Sequence, residues 1–306
     1  MAAPEWTAER EVGPARAAEL VAAAAPRLAG APVVPLATGW DNTVVMVAGE
    51  WAFRFPRRAV ALPGVRREIA VLPRIAPLLP LPVPVPEVVG SDGEPSEPWP
   101  FTGARLLPGR ELADAGPADG ARVPAAAATG AFLRALHSPE VRAASDVELP
   151  VDPLGRGHPA SRLGHTRATL DGLVASGTWA GDPAVDALLE RAGRLVAPGG
   201  APVLVHGDLH ARHLLVDAAG RASGVIDWGD VCLADPALDL SLGYAAFAGP
   251  ARAAFLTAYG PVDAERELRA RALAVRLAAL LARYAAAEHR AALLAESLAS
   301  LGRAVR

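Results

Sequence analysis

Proline occupies five of the ten positions from 77 to 86, and this spacing excludes a helix from the stretch. Each proline fixes φ and lacks an N–H donor, so the chain must run extended there and cannot form a central strand. Helices are predicted before this stretch at Pro14–Leu28 and Gly64–Leu72, and strands around it at Val44–Val47, Trp51–Phe55, Val88–Val89 and Phe101–Leu107. The first hundred residues therefore predict a small sheet with helices.

The chain after Pro108 has a mainly helical pattern. Helices are predicted at Ala125–His137, His158–Ser176 and Ala184–Leu195, and from Ala264 to the last residue. Short β-prone runs interrupt this pattern at Val203–Val205, Leu214–Val216 and Gly224–Ile226. We therefore expect an α+β protein of two lobes, an N-terminal sheet lobe of residues 1–105 and a mainly helical C-terminal lobe of residues 106–306.

Composition excludes several classes of partner. With 306 residues, 52% of them apolar, the chain can bury a large core, but no run reaches the roughly 18 apolar residues of a membrane span. The net charge of -3 is spread along the chain without a basic block, so we expect neither a nucleic acid nor a membrane partner. A lone cysteine, Cys232, and an N-terminus without a signal-peptide pattern favour a cytoplasmic location.

The segment HGDLHARHLLV, residues 206–216, places three imidazoles and a carboxylate within eight residues. As a metal cage, His206, Asp208, His210 and His213 carry suitable donor atoms, and Gly-Asp-Leu-His resembles the metallophosphoesterases. Those enzymes also have an Asn-His pair downstream, and no Gly-Asn-His occurs in this chain. A third interpretation is purely structural, with the imidazoles satisfying buried carbonyl groups.

A phosphate-transfer loop accounts for more of the residues. A kinase needs one carboxylate to accept the hydroxyl proton and another acidic residue, with a second ligand, to hold Mg²⁺ on the nucleotide. Asp208 meets the first need. Eleven residues after His213 the run Gly224-Val225-Ile226-Asp227-Trp228 begins, and Asp227 meets the second.

At this spacing, HGDLHARHLLVD and GVIDWGDVCLADPALDL together resemble the antibiotic phosphotransferases, the aminoglycoside and macrolide kinases that share the protein-kinase fold. The resemblance implies that Asp208 is the catalytic base, that His206 organises the loop, that His210 belongs to the same catalytic set, and that Asp227 is the main Mg²⁺ ligand. It also implies a protein-kinase-like arrangement of the two lobes, the first of which binds the nucleotide.

His213 stands where aminoglycoside kinases usually have asparagine as the second metal ligand. Because Mg²⁺ prefers oxygen, an imidazole there favours Mn²⁺ relative to Mg²⁺. Macrolide kinases also tend to carry His at this point, so the residue favours the macrolide 2'-phosphotransferases within the family. Asp235 and Asp239 resemble residues that brace the loop.

In the N-terminal lobe, Arg54 fills the strand position where kinases keep a phosphate-contacting lysine, and Glu68 is its natural partner. Gly39 and Asn42 belong to a stretch, residues 36–42, that lies where a phosphate-covering loop is expected. The segment Thr102 to Arg105 is the expected hinge that reads the purine of ATP or GTP.

The acceptor is expected to be a small-molecule antibiotic. The last forty residues contain only Glu267, Glu288 and Glu296 as acids, which favours an apolar, macrolide-like acceptor over a polycationic aminoglycoside. We therefore predict a nucleotide-dependent O-phosphotransferase, a monomer or weak dimer. The alternatives are an aminoglycoside phosphotransferase and an inactive nucleotide-binding regulator.

Arginines recur every seven residues in the last helical segment, and leucines occupy another face of it. The pattern predicts a solvated stripe opposite a core stripe, in preference to an anion-binding ridge. The stripe consists of Arg269, Arg276, Arg283 and Arg290.

Overall fold

The computed structural model describes residues 7–39, 41–94 and 96–306. Trp40, in the stretch expected to cover the phosphates, and the first six residues of the N-terminus lie outside the described residues. The chain divides into two compact units. The first contains Met1–Pro77, Val83–Leu107 and Ala144–Val147, and the second contains Leu78–Pro82, Pro108–Ala143 and Glu148–Arg306.

The first unit is built on a five-stranded antiparallel sheet with the strand order β1-β2-β3-β5-β4. Ala48 and Gly49 take positive φ values of 55° and 72° in the turn between the second and third strands, where the sequence predicts a hairpin. The helices are α1 (Pro14–Ala24) and α2 (Leu62–Ile75), and the strands are β1 (Val33–Thr38), β2 (Asn42–Val47), β3 (Trp51–Pro56), β4 (Val88–Ser91) and β5 (Pro100–Arg105).

Alternate residues of β3 form the core of this unit, because successive side chains of a strand point to opposite faces. Trp51, Phe53 and Phe55 are buried, and the ring of Phe55 lies 4.8 Å from that of Phe101 on β5. The intervening Arg54 pairs with Thr102 across the ladder. Strand β1 was not predicted from the sequence, because its largely exposed residues lack the alternation expected of a strand. Its end, Leu36–Thr38, overlaps the stretch predicted as a phosphate-covering loop.

The second unit is mainly helical, and its longest helix, α10 (Ala264–Ala287), packs against four others. Helix α10 contacts α6, α7, α8 and α11, while α4 packs on α9. The helices after β5 are α3 (Leu112–Ala115), α4 (Val123–Leu136), α5 (Pro139–Ser145), α6 (Leu163–Ala175), α7 (Pro183–Ala192), α8 (Ala237–Ala246), α9 (Gly249–Tyr259), α10 (Ala264–Ala287) and α11 (Ala291–Ala304). The segment predicted as one helix from Ala264 is thus two helices, and His289 has a positive φ of 55° at the break.

Five short strands interrupt the helices. A three-stranded sheet has the order β6-β8-β9, and β7 pairs separately with β10. The strands are β6 (Arg110–Glu111), β7 (Val203–Val205), β8 (Leu214–Val216), β9 (Ala222–Val225) and β10 (Cys232–Ala234). Within the described residues, no helix is long and apolar enough to cross a membrane.

The expectation of a solvated arginine stripe on α10 is wrong for its first member. Arg269 is 1% exposed, pairs with Glu265 at 2.8 Å, and donates to the carbonyl oxygens of Gly157 and Val196. The chain segment before α6 and the segment after α7 cover this end of the helix. The arginine stripe therefore begins inside the protein, at Arg269.

Candidate active site

Two loops of the second unit carry the residues of the paired motif. The loop between β7 and β8 spans residues 206–213, and the loop between β9 and β10 spans residues 226–231. Because β7 pairs with β10 and β8 pairs with β9, each loop connects the same two ladders. The N–H of Ile226 also donates to the carbonyl of His213 at 2.9 Å, which joins the end of one loop to the start of the other.

Asp239, on α8, holds the start of the loop of residues 206–213 in place. Its carboxylate accepts the N–H groups of His206 at 2.7 Å and Gly207 at 3.0 Å, and lies 3.2 Å from Nε2 of His137. Burial raises the pKa of this carboxyl group, but the hydrogen bond with His137, the neighbouring imidazoles and the His206 N–H outweigh burial and hold the pKa below its ordinary value. Asp239 is therefore an ionised anchor with several donors.

His206 connects the two loops in its neutral form. Its Nδ1 accepts the N–H of Asp208 at 3.3 Å, which leaves the proton on Nε2, and Nε2 lies 2.9 Å from the carbonyl of Ile226. The side chain is completely buried, and burial lowers its pKa. Next to it, Gly207 has a φ of 88°, and a Cβ there would lie 2.3 Å from the carbonyl oxygen of Asp230. Only glycine fits at position 207.

Asp208 is held by an arginine that the sequence analysis missed. Nη1 of Arg156 lies 3.3 Å from Oδ1 of Asp208, 2.7 Å from Oδ2 of Asp230 and 2.9 Å from the carbonyl of Gly207. The Asp152 carboxylate accepts the N–H groups of residues 156 and 157, which fixes the segment that presents Arg156. Arg156 is 52 residues before Asp208 in a Gly- and Pro-containing stretch, so no local pattern relates the two.

The environment of Asp208 makes it a stronger base than an ordinary aspartate. Burial raises its pKa to about 6, while the charge of Arg156 acts in the opposite direction. The side chain nevertheless keeps 30% of its surface exposed, so a ligand can reach the carboxylate. A carboxylate that is ionised near neutral pH and accessible is suited to accept a proton from a hydroxyl group.

His213 directs an unprotonated nitrogen towards Asp227. Its Nδ1 lies 2.8 Å from the carbonyl oxygen of Asp208, which can only accept, so Nδ1 carries the proton in the neutral ring. Nε2 is then a free lone pair, 3.4 Å from Oδ2 of Asp227. The Asp227 side chain is nearly half exposed and its backbone has a positive φ of 66°. One imidazole nitrogen and one carboxylate oxygen therefore face the same point and suit a divalent cation.

His210 has the opposite protonation. Its Nδ1 accepts the N–H of Arg212 at 3.2 Å, so the proton is on Nε2, which lies 3.7 Å from Oδ2 of Asp208. The ring stacks on that of His213 with centroids 3.8 Å apart, and burial keeps its pKa well below the usual value. Asp208, His210 and His213 bring potential ligand atoms within 4.8 Å of one another. A metal on His210 would have to displace the Nε2 proton, which opposes the metal-cage interpretation.

In the first unit, the structure brings Arg54 and Glu68 together. Nη1 of Arg54 lies 2.7 and 2.9 Å from the two carboxylate oxygens, and both side chains are largely buried. Gly39 and Asn42 flank the short β1–β2 loop, where the N–H of Gly39 donates to the carbonyl of Asn42 at 2.9 Å. Within the described residues, the buried Oδ1 of Asn42 has no hydrogen-bond partner.

The segment expected to be the hinge lies in strand β5. Thr102 is buried and pairs with both Arg54 and Val89. Arg105 ends the strand with an exposed ion pair to Glu50 at 2.7 Å. The chain leaves the sheet after this residue, and the boundary between the two units follows Leu107.

A model of the phosphotransferase enzyme family matches residues 32–273, which include both loops and the Arg54–Glu68 pair. The chain belongs to this family. Among curated proteins, the uncharacterised protein YcbJ of Bacillus subtilis is 51% identical to this chain over 39 residues. These residues are 13% of each chain, so the similar region spans only a small part of that relative.

Solved structures of this phosphotransferase family have the same fold. A GDP complex of aminoglycoside 2'-phosphotransferase-IIIa has a TM-score of 0.67 at 21% identity and covers 96% of this chain and 99% of its own. A macrolide 2'-phosphotransferase of Brachybacterium faecium has a TM-score of 0.56 at 25% identity and covers 92% and 97%. Macrolide 2'-phosphotransferase type I has the same TM-score and identity and covers 95% and 98%. The expected α+β, kinase-like fold class is confirmed.

Proposed function

We propose that this phosphotransferase transfers the terminal phosphoryl group of ATP or GTP to a hydroxyl group of a small-molecule antibiotic. The observation that carries the proposal is the position of the accessible Asp208 carboxylate next to the facing nitrogen and oxygen of His213 and Asp227. Phosphoryl transfer needs a proton acceptor and a metal-binding pair side by side, and little other chemistry from the protein.

The proposed mechanism assigns one task to each group. Asp208 accepts the proton of the acceptor hydroxyl as the oxygen attacks the terminal phosphorus, and the nucleoside diphosphate leaves. Arg156 keeps the carboxylate ionised and oriented through its bonds to Asp208 and Asp230. His213 and Asp227 would hold Mg²⁺, or Mn²⁺, which when bound neutralises charge on the nucleotide phosphates.

The first lobe, residues 1–105, is proposed to bind the nucleotide. Support comes from the contact of Arg54 Nη1 with both carboxylate oxygens of Glu68, because it fixes the orientation of a guanidinium group, a group that suits phosphate oxygens. Gly39 and Asn42 would lie near the phosphates, and residues 102–105 near the purine. The similar aminoglycoside enzyme was solved as its GDP complex, so both ATP and GTP remain substrates in the proposal.

A macrolide-like acceptor is favoured over an aminoglycoside because the acids of the last two helices are already paired. Glu296 contacts Arg122 and Arg303, and Glu267 contacts Arg271 at 2.8 Å. Carboxylates committed to arginines do not offer the free negative charge that a polycation needs. The two macrolide enzymes at 25% identity support the same choice. Aminoglycoside transfer is the rival, since an enzyme of the same fold binds kanamycin.

The test is release of nucleoside diphosphate from ATP and from GTP, each with Mg²⁺ and with Mn²⁺, across macrolides and aminoglycosides, together with product masses. A phosphate-sized mass gain on one class supports the kinase and chooses its acceptor. Nucleotide binding without any product favours the alternative of an inactive regulator. Sedimentation of the same sample tests the expected monomer or weak dimer.

A further inference from the structure

The arginine face of α10 passes next to the segment that carries Arg156, the partner of Asp208. Its first member, Arg269, reaches the carbonyl of Gly157, the residue after Arg156, at 3.3 Å. The helix also packs against α6 and against the 3-10 turn Pro159–Arg162 that precedes α6. Residues seven apart lie two turns along one face of a helix, so Arg276 continues this face from Arg269.

Arg276 is a partly buried cation without a matching anion. Within the described part of the chain, its Nε is buried and has no hydrogen-bond partner. Burial, and after it the charges of Arg162 and Arg156, lower its pKa, while Asp208 acts in the opposite direction. Three guanidinium groups therefore lie near one carboxylate.

The two neighbouring arginines already have partners. Arg156 bonds to Asp208 and Asp230, and Arg162 donates to the carbonyl of Leu154 at 2.6 Å. Arg276 has no comparable bond among the described residues. A buried donor left unpaired costs free energy, and such a group in a functional site is commonly completed by a ligand.

We propose that Arg276 binds an anionic group, a carboxylate or a phosphate, of the acceptor molecule beside Asp208. This inference rests on the proposed function, because it takes Asp208 as the base that meets the acceptor hydroxyl. The charged groups that act on Arg276 are Arg156, Arg162 and the base Asp208 itself. Because the acceptor hydroxyl must meet Asp208, we assign the anion to the acceptor, and the nucleotide KM below tests this assignment.

The acceptor so defined keeps the apolar body of a macrolide-like molecule but also carries an anion, as an apolar hydroxy acid or phosphate ester does. A polycation would meet three arginines near the base, and this repulsion is a second ground that disfavours aminoglycosides. A planar guanidinium fork suits either anion through two parallel hydrogen bonds.

Arg276→Gln tests the site, and Arg283→Gln is the matched control, since Arg283 is an exposed member of the same stripe. The first readout needs no turnover: acetate and inorganic phosphate are titrated against the arginine Nε–H resonances of the wild type. We expect one saturating shift, absent in Arg276→Gln and retained in Arg283→Gln, without a lower Tm in either variant. No saturating shift, or one that persists in Arg276→Gln, overturns the proposal.

The second readout compares hydroxy acids and hydroxyalkyl phosphates with their neutral esters and amides as acceptors. We expect Arg276→Gln to raise KM for the anionic acceptors by about tenfold or more and to leave the nucleotide KM within about twofold. A raised nucleotide KM instead assigns the anion to the transferred phosphoryl group and overturns the acceptor assignment. Turnover of neutral macrolides without any effect of Arg276 removes the inference and leaves the proposed function. A saturating anion shift with no transfer to any acceptor keeps the anion site at Arg276 but overturns the proposed function.

Discussion

At the scale of single residues, hydrogen bonds to Nδ1 decide what each histidine of the catalytic loop can do. In His206 and His210, Nδ1 accepts a backbone N–H, so Nε2 carries the proton. In His213, Nδ1 donates to a carbonyl and Nε2 is free. The backbone therefore assigns one tautomer to His206 and His210 and the other to His213, so His213 differs from its two neighbours in what its Nε2 can do.

His213→Asn is expected to change the metal preference. An amide oxygen suits Mg²⁺, whereas the imidazole favours Mn²⁺, so the variant should lower the ratio of Mn²⁺- to Mg²⁺-supported turnover by about tenfold. His210→Asn is the matched control and should leave this ratio unchanged, because its Nε2 carries a proton. Diphosphate release measured against the concentration of each metal checks both. An equal change in the two variants would refute direct coordination by His213.

Asp208→Asn is expected to lower kcat by about two to four orders of magnitude, which is the usual contribution of a positioned base. The nucleotide KM should stay within about twofold, because the amide keeps the shape of the side chain. Asp230→Asn shares the contact with Arg156 but is assigned no proton transfer, so its loss should be smaller. Turnover is measured by diphosphate release. Near-normal kcat in Asp208→Asn would remove the residue from the mechanism.

At the scale of elements, helix α8 supports the catalytic loop through Asp239. Because the pKa of this carboxyl in the folded state lies below its ordinary value near 4, the ionised group stabilises the fold above about pH 4. That contribution is lost as the pH falls through the folded-state pKa. The stability of the loop of residues 206–213 therefore depends on the charge of Asp239.

Asp239→Asn should lower the free energy of unfolding at pH 7 by about 3 kcal/mol, since it removes a buried charge from its donors. Below about pH 4 the difference from the wild type should shrink, because the wild-type carboxyl protonates there. Urea unfolding at pH 7, 4 and 3 measures this. Ser241→Ala removes a hydroxyl bonded to Leu238 on the same helix and should cost only about 1 kcal/mol. A difference that is constant with pH would contradict the ionised anchor.

Two of the elements that the sequence did not predict, α8 and β1, lack a regular alternation of buried and exposed residues. Nine of the ten residues of α8 are buried, so no polar face marks its period in the sequence. Strand β1 has the opposite difficulty, because five of its six residues are exposed. The hairpin β2–β3 was predictable since buried and partly buried residues alternate in its strands around a turn.

At the scale of the whole molecule, the candidate site was predictable where it is local in sequence. The two motifs lie between residues 206 and 240, and their spacing, together with the resemblance to the antibiotic kinases, led to the prediction of the base and the metal pair. Arg156 was not predictable, because it reaches Asp208 only after the fold brings together segments 52 residues apart. Thr102 and Arg105 lie in strand β5. Their assignment to a hinge that reads the purine stays a prediction.

Ion pairs in the second unit join segments far apart in the chain. Glu296, on α11, binds the buried guanidinium of Arg122 through both carboxylate oxygens, at 2.7 and 2.8 Å across 174 residues, and also contacts Arg303. Such a pair contributes little net free energy relative to apolar packing, but removal of one partner leaves a buried charge uncompensated.

Glu296→Gln should therefore lower the free energy of unfolding by about 3 kcal/mol or more, because Arg122 is 2% exposed and cannot recover its hydration. Glu190→Gln breaks an exposed pair with Arg194 and should cost no more than about 0.5 kcal/mol. Urea unfolding of both variants gives the comparison. Equal losses of unfolding free energy would mean that the buried pair is dispensable. A loss confined to Glu296→Gln would mean that folding of the second unit depends on contacts between the early and the late parts of its sequence.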